Sequence, residues 1–308
     1  MSDIVICEFM DENVVRDVFA GRDVIYDARL VDRPDDLQAA LSDARALVVR
    51  NRTQVRPALL DKAPRLKVVG RLGVGLDNID MEACKARDIV VHPATGANDL
   101  AVAEYVITAA LLLLRRAWFM SARVAAGEWP RTDAMGRELA GKRLGLIGFG
   151  AIARQTARRA SDLGMSICGY DPYLPPDHAL WAGAQCVALN ELLATSDVIS
   201  LHVPLTPQTH HMIDARALAA MRSDAILINA ARGGVVDESA LARALKAGRP
   251  GGAALDVFEQ EPLDVKVGAV FAGIGNLLLT PHIAGVTEES NVRVSTVTAE
   301  AVLRCLGT

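Results

Sequence analysis

The residues in this chain that could do chemistry fall into two sets, a phosphate cradle and a group of titratable side chains after apolar runs. Gly148-Phe149-Gly150-Ala151-Ile152-Ala153 follows the apolar run 143–147 and opens an amphipathic stretch. In a strand–turn–helix unit the first glycine permits the tight turn and the second lets a pyrophosphate approach the backbone. The third position needs only a small residue, which Ala153 supplies. The helix N-terminus, at Ala151 and Ile152, then offers N–H groups and a positive dipole to phosphates. About 20 residues on, Asp171 ends the next apolar run. A carboxylate there accepts hydrogen bonds from the adenosine ribose and repels a 2′-phosphate, so turn and acid together point to NAD in preference to NADP.

Arg232, Glu261 and His282 each follow a further apolar run. Hydride transfer to a 2-oxo acid needs a cation to hold the carboxylate and polarise the carbonyl. It also needs an acid for the developing alkoxide and a group that tunes that acid. Ends of strands are where open α/β sheets place ligands. Taken singly, each residue also has an ordinary explanation. Arg232 could be a solvated loop arginine and Glu261 a surface turn before Pro262. His282 could be a packed loop histidine like His92, His178, His202, His210 or His211.

The elements that must position these groups alternate along the whole chain. Its 308 residues, 51% of them apolar but only 4% aromatic, predict two domains with aliphatic cores of the kind parallel sheets bury. Runs 4–8, 46–50, 67–70 and 89–92 read as strands, with helical patterns at 34–44 and 79–86 between them. A long helix is expected over 99–126, with Asn98 at its N-cap and Glu104 in its early turns. Its segment 106–114 is apolar nearly all round, which fits burial inside one subunit but favours burial partly against a second, and hence a homodimer with this helix as its arm. A second series has strands at 143–147, 166–170, 198–202, 225–229, 252–256 and 276–280, and helices at 151–163, 214–220 and 237–247. A final helix over about 288–306 could return to the first unit. The fold class expected is α/β with two doubly wound parallel-sheet domains. The discontinuous substrate-binding domain takes residues 1–97 plus 286–308, and the Rossmann domain 98–285.

Composition excludes several classes. Net charge is −4 without acidic or basic blocks, and pairs such as Arg115-Arg116 and Arg158-Arg159 read as solvated helix faces, so no nucleic-acid partner is expected. The start of the chain lacks a secretory pattern, and 106–114 is shorter than the roughly 20 residues that cross a bilayer. A cytoplasmic protein without a membrane partner is the expectation. Five scattered cysteines with no CxxC pair read as free thiols, with no metal site.

The chain resembles the D-isomer-specific 2-hydroxyacid dehydrogenases across essentially its whole length. The resemblance rests on Val69-Gly70-Arg71-Leu72-Gly73-Val74-Gly75-Leu76-Asp77-Asn78, on 146–153, and on Leu201-His202-Val203-Pro204-Leu205-Thr206. Segments 229–234, 254–262 and 280–285 complete it. It implies that Arg232 pairs with the substrate carboxylate, and that His282 is general acid in reduction and base in oxidation. Glu261 would fix the tautomer of that histidine. It implies further that Val74 and Gly75 offer backbone N–H groups to the carboxylate. Pro204, Thr209, Ala230 and Asp256 would line the adenine and nicotinamide pockets. The family fold also interrupts the first domain with the cofactor domain, and substrate would lie in a cleft closed by hinge motion.

Arg50 and Arg71 end adjacent strands and could hold an anionic group on C3, as in the phosphoglycerate dehydrogenase branch; surface charge is the ordinary alternative. That branch often carries a C-terminal regulatory extension, whereas this sequence stops at Thr308. (S)-Sulfolactate therefore competes with 3-phosphoglycerate, because sulfur reverses the substituent priorities and its S label describes the same spatial arrangement. Hydroxypyruvate or glyoxylate reduction is a third reading. Outside this class stand an NAD-sensing corepressor-like protein and an S-adenosylmethionine methyltransferase, which would have no use for the Arg232, Glu261 and His282 set.

Overall fold

A computed structural model describes residues 3–307. The chain divides into two compact units, one running to Asn98 and resuming at Val286, the other spanning Asp99–Gly285. Among the described residues, no helix is long and apolar enough to cross a membrane.

The first unit runs β1 (Ile4–Ile6), α1 (Glu12–Val18), β2 (Val24–Tyr26), α2 (Pro34–Leu41), β3 (Ala46–Val49), α3 (Pro57–Leu60), β4 (Val68–Arg71), α4 (Met81–Lys85) and β5 (Val90–Pro93). The strands form one parallel sheet in the order β2-β1-β3-β4-β5. Both β1 and β3 are buried along their full length, which is why they read as unbroken apolar runs instead of alternating ones. Asp11 and Asp80 cap α1 and α4 by accepting from the N–H groups of Val14 and Ala83. The closing helix, Glu288–Leu306, belongs to this unit and starts in a Thr287/Ser290 capping box. Its Val294, Ala299, Val302 and Leu306 share a core with Ile4, Ile6, Val48 and Val68. Gly70 makes that packing possible: a Cβ there would lie 2.7 Å from Thr298 Cγ2 and 2.8 Å from Val302 Cγ2.

The second unit runs α5 (Asp99–Arg115), α6 (Ser121–Ala125), β6 (Arg143–Ile147), α7 (Ala151–Asp162), β7 (Ser166–Tyr170), β8 (Gln185–Cys186), α8 (Leu189–Thr195) and β9 (Val198–Leu201). It continues with α9 (Ala215–Ala220), β10 (Ile226–Asn229), α10 (Glu238–Lys246), β11 (Gly252–Leu255), α11 (Val265–Gly268) and β12 (Leu277–Leu279), after which the chain leaves as α12, the Glu288–Leu306 helix above. All seven strands are parallel in the order β12-β11-β10-β9-β6-β7-β8. Strand order reverses where β6 pairs with β9, the switch point at which doubly wound sheets bind ligands. Separate aliphatic clusters fill the two faces of the sheet, and α5 contributes Val106, Ala110, Leu113 and Leu114 to one of them.

The helix expected over 99–126 is shorter. It ends at Arg115; Arg116 is left-handed at φ 54°, and a 3-10 turn over 118–120 leads into α6. The chain returning at Gly136 and Arg137 ends it, because Arg137 N–H takes the Leu114 carbonyl at 2.8 Å. A Cβ at Gly136 would sit 2.6 Å from the Arg115 backbone. Asn98, expected at the N-cap, has a buried Oδ1 that accepts no hydrogen bond.

Candidate active site

The phosphate turn lies at the switch point of the second sheet. Gly148 has φ 85°, and a Cβ there would come 2.6 Å from the carbonyl oxygen of His202, in the loop after β9. The first glycine is therefore demanded by the protein itself. Gly150 differs: a Cβ there would meet nothing within 4 Å, and this residue begins α7 with no side-chain cap. The open ground before the uncapped N-terminus of α7, with Ala151 exposed at its first turn, fits a pyrophosphate. Ala153 is fully buried beneath the turn, where only a small residue packs, and Ile152 is half-buried. Asp171 ties the turn to β7, since Oδ2 accepts Phe149 N–H at 2.9 Å and Oδ1 accepts Tyr173 N–H at 2.9 Å. A cavity of about 470 Å³ opens beside it, lined by Tyr170, Asp171, Pro172, Cys186 and Val187. Thr209 closes the loop after β9 by donating to the Pro204 carbonyl at 2.6 Å. These residues fit a bound NAD.

Arg232, Glu261 and His282 follow β10, β11 and β12, three neighbouring strands, and so emerge at one end of the sheet. His282 Nδ1 lies 2.7 Å from Glu261 Oε2, while Glu261 Oε1 accepts Phe258 N–H at 3.0 Å. Burial pushes the Glu261 carboxyl up. The hydrogen bond and charge of His282, the Phe258 N–H and the Arg232 charge outweigh it and hold the group below the usual carboxylate range. With a carboxylate on Nδ1, that nitrogen carries the proton, and Nε2 is the ring nitrogen left able to exchange one. His282 sits at φ 56°, a conformation a non-glycine residue keeps only when its surroundings fix it. Buried Asp256 does so: its backbone carbonyl accepts His282 N–H at 2.8 Å. Its Oδ1 accepts the Thr280 hydroxyl at 2.6 Å and Ile283 N–H at 2.8 Å, and Oδ2 accepts Ala284 N–H at 2.7 Å.

The Arg232 loop is organised by Asn229, whose side chain bonds Ala231 N–H at 3.1 Å and the Arg232 carbonyl at 2.9 Å. Arg232 Nη1 donates to the Ala231 carbonyl at 2.5 Å, and Ala230 is half-buried in the same loop. Gly233 presses this loop against the one carrying Glu261, for a Cβ would lie 1.8 Å from the Phe258 carbonyl oxygen. A brace that the sequence did not reveal supports the same loop. Buried Glu238 accepts Glu259 N–H at 2.6 Å, Glu259 accepts Glu238 N–H at 3.3 Å, and His211 Nε2 lies 3.1 Å from the Glu259 carboxylate.

In the first unit, strand order reverses between β1 and β3, and that position is filled by a side chain. Glu8, buried just past β1, accepts the N–H groups of Arg50, Thr53 and Arg52 at 2.9, 3.0 and 3.1 Å. Arg50 Nη2 donates to Asn291 Oδ1 at 2.7 Å, with its guanidinium 5.6 Å from the Phe9 ring centroid. Arg71 ends the adjacent strand β4 and lies flat on Gly73, where a Cβ would come 1.7 Å from Nη1; Nη1 donates to the Leu72 carbonyl at 3.0 Å. Val74 and Gly75 follow in the same loop, half-buried and buried. Sequence reasoning missed Glu8 and Asn291. An acid closing an otherwise apolar run was the only local sign of Glu8.

Hydride exchange with an oxo acid is chemistry that the second unit's paired imidazole, carboxylate and guanidinium can serve beside a dinucleotide turn, and a nicotinamide-linked dehydrogenase is the class it defines. A model of the D-isomer specific 2-hydroxyacid dehydrogenase NAD-binding domain matches residues 107–284. The chain is 52% identical over 308 residues to an (S)-sulfolactate dehydrogenase of Chromohalobacter salexigens, covering 100% of this chain and 99% of that one. It is 43% identical over 273 residues to a D-3-phosphoglycerate dehydrogenase of Methanocaldococcus jannaschii, 88% of this chain but 52% of that protein, so it spans about half the length of that relative. Among solved structures, the D-lactate dehydrogenase of Aquifex aeolicus complexed with NAD and lactic acid superposes with a TM-score of 0.85 at 30% identity, covering 98% of this chain and 95% of that one. The chain belongs to the D-isomer-specific 2-hydroxyacid dehydrogenase family. It is an NAD-dependent oxidoreductase acting on the CH–OH group of a 2-hydroxy acid.

Proposed function

We propose that the substrate is (S)-sulfolactate, interconverted with 3-sulfopyruvate. The observation that carries this reading is the 52% identity, over the full length of both chains, to a protein bearing that activity in its name. Arg50 and Arg71, on adjacent strand ends, supply cations suited to the sulfonate. Arg232 pairs with the substrate carboxylate. Gly148, Gly150, Ala151 and Ile152 receive the pyrophosphate, Asp171 the adenosine ribose, and Pro204, Thr209, Ala230 and Asp256 flank the rings. Bound NAD supplies the hydride acceptor. His282 Nε2 takes the hydroxyl proton as the C2 carbonyl forms, and Glu261 steadies the resulting imidazolium, with the roles reversed in reduction.

The test is NADH oxidation with sulfopyruvate, 3-phosphohydroxypyruvate, hydroxypyruvate, glyoxylate and pyruvate. A kcat/KM for sulfopyruvate at least about tenfold above the rest is expected. Preference for 3-phosphohydroxypyruvate would replace this reading with the 3-phosphoglycerate one. Absence of turnover on all five would favour an NAD-sensing protein.

A homodimer is part of the proposal. Leu111, Val124, Trp129 and Met135, on α5 and the segment after it, leave apolar surface exposed, Trp129 at 77%. Light scattering should give twice the chain mass, and Trp129→Glu should lower it. Five free cysteines agree with a reducing cytoplasm, which cell fractionation would test.

A further inference from the structure

The turn that presents His282 has a support from outside its own strand, and it comes from α5. Tyr105, half-buried against the core on that face of the second sheet, brings its hydroxyl to 2.6 Å from Thr280 Oγ1. Thr280 Oγ1 is in turn 2.6 Å from Asp256 Oδ1, whose carboxylate oxygens also accept Ile283 N–H and Ala284 N–H. A threonine hydroxyl has one proton. Once it is given to the carboxylate, Thr280 can only accept from the phenol, so the chain of donors runs from Tyr105 to Thr280 to Asp256. Burial pushes the Tyr105 phenol up to about 12, which keeps it a donor at every working pH. Three residues of the turn, Thr280, Ile283 and Ala284, thus converge on one buried carboxylate, and His282 lies between them in a left-handed conformation.

We propose that Tyr105 is a positioning residue for the reaction: by donating through Thr280 to Asp256 it fixes the 280–284 turn and with it the orientation of His282. The inference rests on His282 as the acid–base residue. Phenylalanine at position 105 keeps the ring and its packing and removes only the donor. A single hydrogen bond between neutral groups is a small part of a fold's stability, so freeing Thr280 from it leaves the turn looser without unfolding it. The consequence falls on turnover more than on cofactor binding, because Asp256 keeps its bonds to Thr280, Ile283 and Ala284 and the phosphate turn and Asp171 are untouched.

The experiment compares wild type, Tyr105→Phe, Thr280→Val and the double variant, with sulfopyruvate and hydroxypyruvate as probe oxo acids and NADH binding followed by fluorescence. His282→Asn runs beside them. Tyr105→Phe should lower kcat about fivefold with the Kd for NADH within about twofold of wild type. Thr280→Val should lower it further, and the double variant should match Thr280→Val alone, because the phenol acts only through that hydroxyl. Losses that multiply, or a Tyr105→Phe variant with wild-type kcat, would overturn the proposal. Near-normal turnover of His282→Asn would overturn instead the role of His282 on which it rests.

Discussion

His282 Nδ1 and Glu261 Oε2 stand 2.7 Å apart, and the carboxylate is held anionic by its surroundings, so the imidazole is oriented by a fixed negative charge. Loss of either partner should be felt in turnover before it is felt in binding. His282→Asn should lower kcat roughly 100-fold or more. Glu261→Gln, which keeps a hydrogen-bond acceptor but not the charge, should lower it less, roughly 10- to 100-fold. NADH titration in both variants should stay within about threefold of wild type. A Glu261→Gln enzyme with full turnover would mean that the charge is idle.

The cofactor turn offers a separation of folding from binding. A Cβ at Gly150 meets no protein atom, so Gly150→Ala should leave the Tm within about 2 °C while weakening NADH at least about tenfold. Asp171→Ala should narrow the preference for NAD over NADP, measured as the ratio of kcat/KM values. An unchanged ratio would remove Asp171 from ribose recognition.

Arg50 makes a selective prediction. Arg50→Ala should raise the KM for sulfopyruvate at least about tenfold and leave glyoxylate, which has no C3 group, within about twofold. Equal losses on the two acids would point to a distorted loop, for the backbone of this residue is itself anchored by Glu8.

Stability should fall on the acid side through His202. Burial drives its imidazole down to about 4 from an ordinary 6.5. The unfolded chain then binds the proton first, so stability is full above about pH 6.5 and declines as pH drops towards 4. The total loss is about 3 kcal/mol, with about 2 kcal/mol of it gone by pH 5. Urea unfolding at pH 7 and pH 5 should therefore give a smaller difference for His202→Gln than for wild type. Equal differences would assign the acid sensitivity to other groups.

The parts of the site that were legible in sequence are those where the backbone itself constrains the residue. Gly148 must adopt φ 85° against His202, Ala153 must be small, and each leaves a mark in composition at fixed spacing. Arg232, Glu261 and His282 look ordinary in their own segments; their places after successive apolar runs and the family resemblance mark them as a set, and the adjacency of β10, β11 and β12 brings them to one end of the sheet. What escaped notice was fixed by partners far along the chain. Glu8 binds the backbone of a loop more than 40 residues later, and Tyr105 reaches Thr280 across 175 positions. The end of α5 is set by Gly136 and Arg137, which no helical periodicity could reveal. The strands β2 and β8, with three residues and two, are too short to show a pattern.

The return of α12 to the first unit also orders events during synthesis. Ile4, Ile6, Val48 and Val68 are made early, yet the side chains that complete their core, Val294 to Leu306, are made more than 200 residues later. The second unit is continuous, so its sheet can close while the first still exposes an apolar face. The nascent protein therefore has a nucleotide-binding half before it has a finished amino-terminal half. The span between translation of Asn98 and of Leu306 is its window of greatest exposure to chaperones and to aggregation.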